Sequence, residues 1–379
     1  MQADGRRAAA ERAARAAPAT TRPAASASEH SGGTATDDAL RALERSLERA
    51  TLDGVRRDRR DLAREAVPPG RREIVFVGTG GSPINLMRQV RATGGFYVEL
   101  PEVRLYVDPG PGALVHARAL GLPLEDLDAV YVSHGHLDHY GDADAIVESM
   151  CRAMSVRRGL LLAPRSVLEE GLVSAFHQGR RPDVPYPGGP RARALEAGRA
   201  VALGDGAVLH PVPAHHGGEN YGFVLETPDL RLGYTSDTGY LIAYRNADGE
   251  RVNVEPGRAV IDFEAAEDVH LDLRAAFADV DVLVANVTFM NHFASRQLTA
   301  IGLGDLLTGS HVGQAVITHL DPALTGAGGE DRTPLLAEYV ERVSGVPTLV
   351  ARDGMRLQLH PRGGGVAAAA RGGEEGPRA

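Results

Sequence analysis

"AVYVSHGHLDHYGDADAIVE" runs from Ala129 to Glu148. Its opening, Ala129–Ser133, is an apolar run of the length and composition of a buried strand. His134, His136, Asp138 and His139 follow directly. In an extended segment alternate side chains point the same way, so His134 and His136 face one point. Asp138 and His139 come where the chain turns towards a helical pattern, and they face a second point nearby. Imidazoles mixed with a carboxylate suit zinc, manganese or iron; they do not suit calcium or a thiolate site.

Three later segments place the same chemistry after other strand-like runs. "HPVPAHHGGENYGF" supplies His215 and His216, "RLGYTSDTG" supplies Asp237, and "QAVITHLD" supplies His319. Any one of these histidines alone would read as an ordinary core or surface group. Donors carried on the ends of several strands are what a rigid metal site requires.

The rest of the chain supplies the scaffold. Strand patterns cover Phe96–Leu100, Val103–Asp108, Ala129–Ser133, Leu160–Ala163, Ala207–Pro213, Tyr221–Glu226, Arg231–Ser236, Val280–Val287, Ala315–His319 and Thr348–Leu359, after a first one in "EIVFVGTGG". Helical patterns cover Gly112–Leu120, Asp142–Met154, Ser166–Phe176, Leu298–Leu307 and Pro334–Val343. Strands that alternate with helices, with hairpin signals in "ETPDL" and "ARDGM", predict an α/β (mixed α+β) domain of sheets covered by helices. This domain is expected over residues 71–360. Residues 240–279 read as an irregular insertion. Residues 1–36 and 361–379 are low-complexity and read as disordered tails. Residues 37–70 read as a charged helical arm and linker: Leu40, Leu43, Leu47 and Val55 lie near helical spacing up to about Ala66, with a break expected near Gly54, and "VPPGRR" follows. Such an arm packs on the domain edge or binds a partner.

Composition narrows the function. Of 379 residues, 43% are hydrophobic and 24% charged, and the net charge is −9. An acidic chain argues against a protein that coats nucleic acid. It leaves room for an enzyme that cuts phosphodiesters, because bound cations neutralise phosphate locally. Cys151 is the one cysteine, so no disulfide forms within the chain and a reducing, cytoplasmic location fits. It reads as a buried helix residue without the surroundings of a nucleophile. No segment has the apolar core of a signal peptide or the length of a membrane span. The Arg-, Ala- and Ser-rich N-terminus shares the composition of a transit peptide, and Asp4 and Glu11 count against that reading.

"HGHLDH" resembles the HxHxDH signature of the metallo-β-lactamase fold superfamily. The order of the other segments agrees: Asp108 in "LYVDPG", a histidine in "AHHGGENYG", Asp237 in "TSDTG" and His319 in "ITHLD". The likeness spans about Ile74 to Leu359 and implies a four-layer αββα sandwich with two metals at one edge between the sheets. It implies one metal held by His134, His136 and a histidine of the Ala214–Gly217 region, and a second by Asp138, His139 and His319, with Asp237 bridging. In the ribonuclease Z-like branch the third histidine precedes an aromatic-Gly pair by five positions; Tyr221-Gly222 makes this His216, and His215 then points away. Asp108 would orient ligands from behind.

The implied chemistry is that of a dinuclear metal-dependent hydrolase in which a metal-bridging hydroxide attacks phosphorus or a carbonyl carbon. The implied cofactors are two divalent ions, zinc first, with manganese or iron as alternatives. Asp138 could also take a proton, and His292 in "FMNHFASRQ" is a candidate general acid, with a hydrogen-bonded loop histidine as the plainer reading. "VGTGGSPINL" resembles the opening of the ribonuclease Z and phosphodiesterase branch, although as a turn between the first two strands it needs no further role. Two departures stand out. Ala285 and Asn286 occupy the place of a His-Glu pair, and Gln297 that of a second histidine. With no basic, glycine-rich arm between Cys151 and Arg199 beyond "RRPDVPYPGGPRAR", a small-molecule or nucleotide phosphodiester is expected in preference to tRNA or other long nucleic acid. The alternative is a carboxylic ester, lactone or thioester; a non-catalytic metal-binding protein is the contrasting class. No membrane partner is indicated, and a homodimer is open.

Overall fold

The computed structural model describes residues 33–64, 69–181, 188–204, 206–324 and 329–361. Most of both expected tails, the Pro-rich start of the linker and residues 182–187 within "RRPDVPYPGGPRAR" lie outside these residues. The chain divides at Arg64 into two units.

The first unit is a single helix, Gly33–Ala63. It begins inside the segment expected to be a tail, at Gly33, with no proline in "GTATDD" to stop it. It also runs through Gly54 without the expected break. A glycine costs about 1 kcal/mol against alanine in a helix, too little to interrupt 31 residues rich in alanine, leucine and arginine. Leu40, Leu43, Leu47 and Val55 are exposed along it.

The second unit contains two large sheets. The first is ordered Arg356–Gln358, Glu73–Phe76, Phe96–Leu100, Val103–Val107, Ala129–Tyr131, Arg157–Ala163, Gly189–Ala194. The second is ordered Thr348–Val350, Gln314–Thr318, Val282–Phe289, Leu230–Tyr234, Tyr221–Thr227, Val208–Pro213, Val201–Ala202. Each sheet has a parallel half and an antiparallel half.

The strand alternation explains the layering. Ile74 and Phe76 point into the core between the sheets, while Val75 and Val77 point the other way. Likewise Leu105 and Val107 face inward and Tyr106 outward. Both faces are apolar, so these strands are continuous hydrophobic runs that must be covered on both sides. Across the gap, Leu209, Phe223, Leu225, Leu232, Val284 and Val316 complete the inner core. Outside the first sheet, Ala113–Ala119 and Ala143–Met150 cover Val75, Tyr97, Tyr106 and Val130. Outside the second, Leu271–Phe277, Ala300–Leu307 and Pro334–Ser344 cover Leu283, Ala285, Ala315 and Ile317. The result is the four-layer αββα sandwich expected from the sequence.

Several local expectations are corrected. Residues 240–279 are ordered: Arg251–Asn253, Leu241–Asn246 and Phe263–Val269 form a third sheet, and Leu271–Phe277 is a helix. The hairpin signal there is Asp-Gly in "NADGE", where Asn246 Oδ1 accepts from Glu250 N at 2.8 Å. Its charged, half-exposed strands hid the pattern. Thr348–Leu359 is two strands in different sheets, since Gly354 takes a left-handed φ of 79° and turns the chain. The helix expected over Asp142–Met154 stops at Met150, where Arg152, Ala153 and Met154 turn left-handed. The Ser166–Phe176 helix is confined to Arg165–Glu169, ahead of Gly171.

Leu225 is fully buried between the sheets and Leu43 is 56% exposed. Leu225→Ala is expected to cost about 2–5 kcal/mol in urea unfolding, and Leu43→Ala no more than about 0.5 kcal/mol. Equal losses from the two would contradict this assignment of the core.

Candidate metal centre

The parallel strands of both sheets end at one edge of the sandwich, and the polar residues follow those ends. Asp108 follows Val103–Val107, His134 comes just after Ala129–Tyr131, Asp237 just after Leu230–Tyr234, and His319 directly after Gln314–Thr318. Edges of this kind are where α/β sheets bind ligands. After His136, still extended, the chain makes one helical turn, Leu137–Tyr140, which carries Asp138 and His139.

The donors form two groups. In the first, His134 Nε2 lies 2.9 Å from His136 Nδ1, and His216 Nε2 lies 3.2 Å from that same atom. In the second, His139 Nε2 and His319 Nε2 are 3.2 Å apart, and Asp138 Oδ2 is 3.5 Å from His319 Nε2. Asp237 stands between them. Its Oδ1 is 3.3 Å from His319 Nε2, and its Oδ2 is 3.8 Å from His216 Nε2.

The hydrogen bonds behind these rings settle which nitrogens carry protons. Arg296 O can only accept, so His216 donates to it from Nδ1 at 2.6 Å. Asp108 Oδ2 accepts from His139 Nδ1 at 2.8 Å and from Ser133 Oγ at 2.7 Å. The Ser133 proton being spent, its oxygen accepts from His134 Nδ1 at 3.0 Å. Thr288 donates to Gln297 Oε1 at 2.9 Å and so accepts from His319 Nδ1 at 3.2 Å. The neutral forms of His134, His139, His216 and His319 therefore aim Nε2 lone pairs into the centre. Lone pairs at such separations repel unless a cation lies among them. Tetrahedral zinc with bonds of about 2.0–2.1 Å spaces its ligands by roughly 3.3–3.4 Å, close to the distances here. The donor set fits divalent metal ions, and the far-side partners are those that orient metal ligands.

Without a cation, protons take its place. Burial alone would lower His139, but Asp138, Asp237 and Asp108 outweigh it and hold the ring well above its ordinary value. His134 goes the other way, pushed down by burial and by His139. Burial would raise Asp237, yet His319 and His139 hold it well below the usual carboxylate range. Asp138 is lowered in the same manner: burial opposes, His139 and His319 prevail.

Residues outside the original pattern complete the centre. Asn286 Nδ2 donates to Asp237 Oδ1 at 2.8 Å, Gln297 Nε2 points at Asp237 Oδ2 at 3.4 Å, and Tyr234 OH donates to Asp108 Oδ2 at 2.6 Å. The departures at 286 and 297 are thus the amides that hold Asp237. The "GTGG" turn does more than reverse the chain: a Cβ on Gly81 would lie 2.2 Å from the His319 ring. No sequence spacing signalled that contact.

Other candidates lie apart from this centre. His215 turns away, with Nε2 2.9 Å from Asp272 Oδ2 and its ring stacked 3.5 Å from His270. His292 is exposed on the loop after Val282–Phe289, its Nδ1 beside Asn291 Oδ1 at 2.9 Å; it touches none of the donors. Cys151 is buried and its thiol is pushed up to about 12 by burial, which suits a structural residue.

Comparison with known proteins agrees. A family profile described as "Beta-lactamase superfamily domain" matches residues 103–293. The chain belongs to the beta-lactamase superfamily. An uncharacterized protein of Methanocaldococcus jannaschii is 29% identical over 297 residues, 76% of this chain and 96% of that one. A protein named ribonuclease Z from Thermobifida fusca is 25% identical over 334 residues, 79% of this chain and 99% of its own. Among solved structures, the metallo-beta-lactamase fold protein YhfI from Bacillus subtilis superposes with a TM-score of 0.55 at 15% identity, covering 76% of this chain and all of that one. This member of the superfamily is a metal-dependent hydrolase with an intact donor set. Among its described residues no helix is long and apolar enough to cross a membrane.

Two outcomes are expected. Gly81→Ala displaces His319, so the purified variant should hold less than the wild-type metal content by elemental analysis while its circular dichroism is unchanged; full metal content would refute the contact. Metal uptake must also expel the protons drawn in by the carboxylates. Calorimetry in two buffers of different protonation enthalpy should show proton release, with affinity weakening as pH falls. The sign follows from the raised His139: its proton stabilises the metal-free protein below the ordinary histidine value of 6.5 and is lost as pH rises through the higher folded value. Affinity independent of pH would contradict it.

Proposed function

We propose that this chain hydrolyses phosphodiester bonds at a dinuclear centre, with zinc as the preferred ion. The observation that carries the reading is Asp237, whose Oδ1 lies 3.3 Å from His319 Nε2 and whose Oδ2 lies 3.7 Å from His139 Nε2 and 3.8 Å from His216 Nε2, so that one carboxylate reaches both donor groups. His134, His136 and His216 would hold one ion, Asp138, His139 and His319 the other. Such a pair supplies an acidified water and positive charge facing the substrate's oxygens.

The chain's own residues do the rest. Asp108 locks His139, and through Ser133 it locks His134. Asn286 and Gln297 hold Asp237 without a proton of their own to give. Asp138, kept ionised by His139 and His319 against its burial, accepts the proton of the attacking water at its carboxylate. His292 sits on the loop whose Arg296 and Gln297 touch the two donor groups, and it is the group we assign to protonate the leaving oxygen.

Two carboxylate donors against two divalent ions leave net positive charge at the centre, which favours an anionic substrate. The likeness to the Thermobifida fusca protein named ribonuclease Z supports phosphodiesters over acyl groups. A net charge of −9 and amides in place of the titratable pair support a small or nucleotide substrate over tRNA. The cytoplasm is the proposed location, consistent with one buried free cysteine.

Bis(p-nitrophenyl) phosphate should be hydrolysed by the metal-loaded protein and not after chelation. No turnover by protein shown to hold two metals would overturn this reading and move the assignment to esters, lactones or thioesters.

A further inference from the structure

The loop of residues 290–297 is fastened to the metal centre at its inner end. Arg296 O holds His216, and Gln297 reaches Asp237 and, through Thr288, His319. Its outer side is braced as well: Val260 N donates to Asn291 O at 2.8 Å, and Ala259 bridges His292. Arg296 N and Gln297 N both donate to Phe293 O at 2.9 Å. Phe293 therefore lies one tight turn from the residues that touch both donor groups.

Phe293 is costly where it is. Its φ is 58°, a left-handed conformation that a bulky side chain rarely adopts. Its side chain is nonetheless 45% exposed, so burial does not repay the strain. Nor is it alone. Its ring centre is 5.3 Å from Phe289 and 6.4 Å from His292, and Phe289 and His292 are 6.3 Å apart. Three rings thus cluster at a strained loop tied to the centre; Phe289 is half-buried beneath, and His292 and Phe293 are exposed.

We infer that Phe293, backed by Phe289 and His292, is a stacking platform for a planar ring carried by the substrate, a nucleobase or an aryl group on one side of the scissile phosphodiester. The inference rests on the phosphodiester reading for the substrate's other half. Stacking on an exposed aromatic face contributes about 1–3 kcal/mol per base, roughly 5- to 150-fold in affinity, and it tolerates different rings because every base has a π-face.

The chain contains no tryptophan, so Phe293→Trp introduces a single indole reporter. In the full-length, metal-loaded variant, adenosine 5′-monophosphate should quench the indole emission saturably, and ribose 5-phosphate should not. No quenching by the nucleotide, or equal quenching by both, overturns the platform. Kinetically, Phe293→Ala should raise KM for an aryl or nucleotide phosphodiester about tenfold, with the loss falling on KM rather than kcat and with metal content retained; Phe293→Tyr should restore it. An unchanged KM overturns the proposal. Failure of the phosphodiester reading is separable, because it appears as a wild-type protein without turnover, while the fluorescence titration still tests the platform.

Discussion

The arrangement depends on one buried carboxylate. Asp108 accepts from Ser133 N at 2.7 Å, Ser133 Oγ at 2.7 Å, His139 Nδ1 at 2.8 Å and Tyr234 OH at 2.6 Å. Ser133 and His139 follow a strand of the first sheet, and Tyr234 ends a strand of the second. A buried charge is expensive unless its partners are complete. Here the partners come from both halves of the sandwich, so satisfying Asp108 also ties the two facing sheets together at the edge that carries the site. The same bonds set the proton positions on His134 and His139. Asp108 itself adopts a left-handed φ of 51°, and that turn directs its carboxylate back beneath the motif.

The rest of the scaffold serves to place strand ends. Runs apolar on both faces force two sheets between two layers of helices. The parallel halves then bring Asp108, His134, Asp237 and His319 to one edge, although Asp108 and His319 lie on opposite sheets and far apart in sequence. The two amides, Asn286 and Gln297, join the strand Val282–Phe289 and its following loop to the same place. Their neutrality leaves Asp237 as a carboxylate shared between two donor groups.

Much of this centre is legible in the sequence, for physical reasons. His134, His136, Asp138 and His139 are consecutive or alternate residues, so backbone geometry alone predicts which rings converge. Asp237 and His319 are legible because each directly follows a strand-like run. The choice of His216 over His215 rests on the resemblance, through its offset of five positions from Tyr221-Gly222, and the structure sends His215 to Asp272. Tyr234 and Gly81 are not legible. Their roles arise from contacts between segments far apart in sequence, and nothing local marks them. The third sheet is hidden by its half-exposed, charged strands, and the division of Thr348–Leu359 by a turn inside a run of strand-forming residues. The Phe293 loop has no periodicity, and only its backbone conformation together with its exposure draws notice.

The central claim is that two ions sit on either side of Asp237. Anomalous diffraction from crystals of the zinc-loaded protein, collected across the zinc edge, tests it directly. The account predicts two peaks per chain about 3.5–4 Å apart, one among His134, His136 and His216 and the other among Asp138, His139 and His319. A single peak, or a peak at His215, His270 and Asp272 with none beside Asp237, would contradict it.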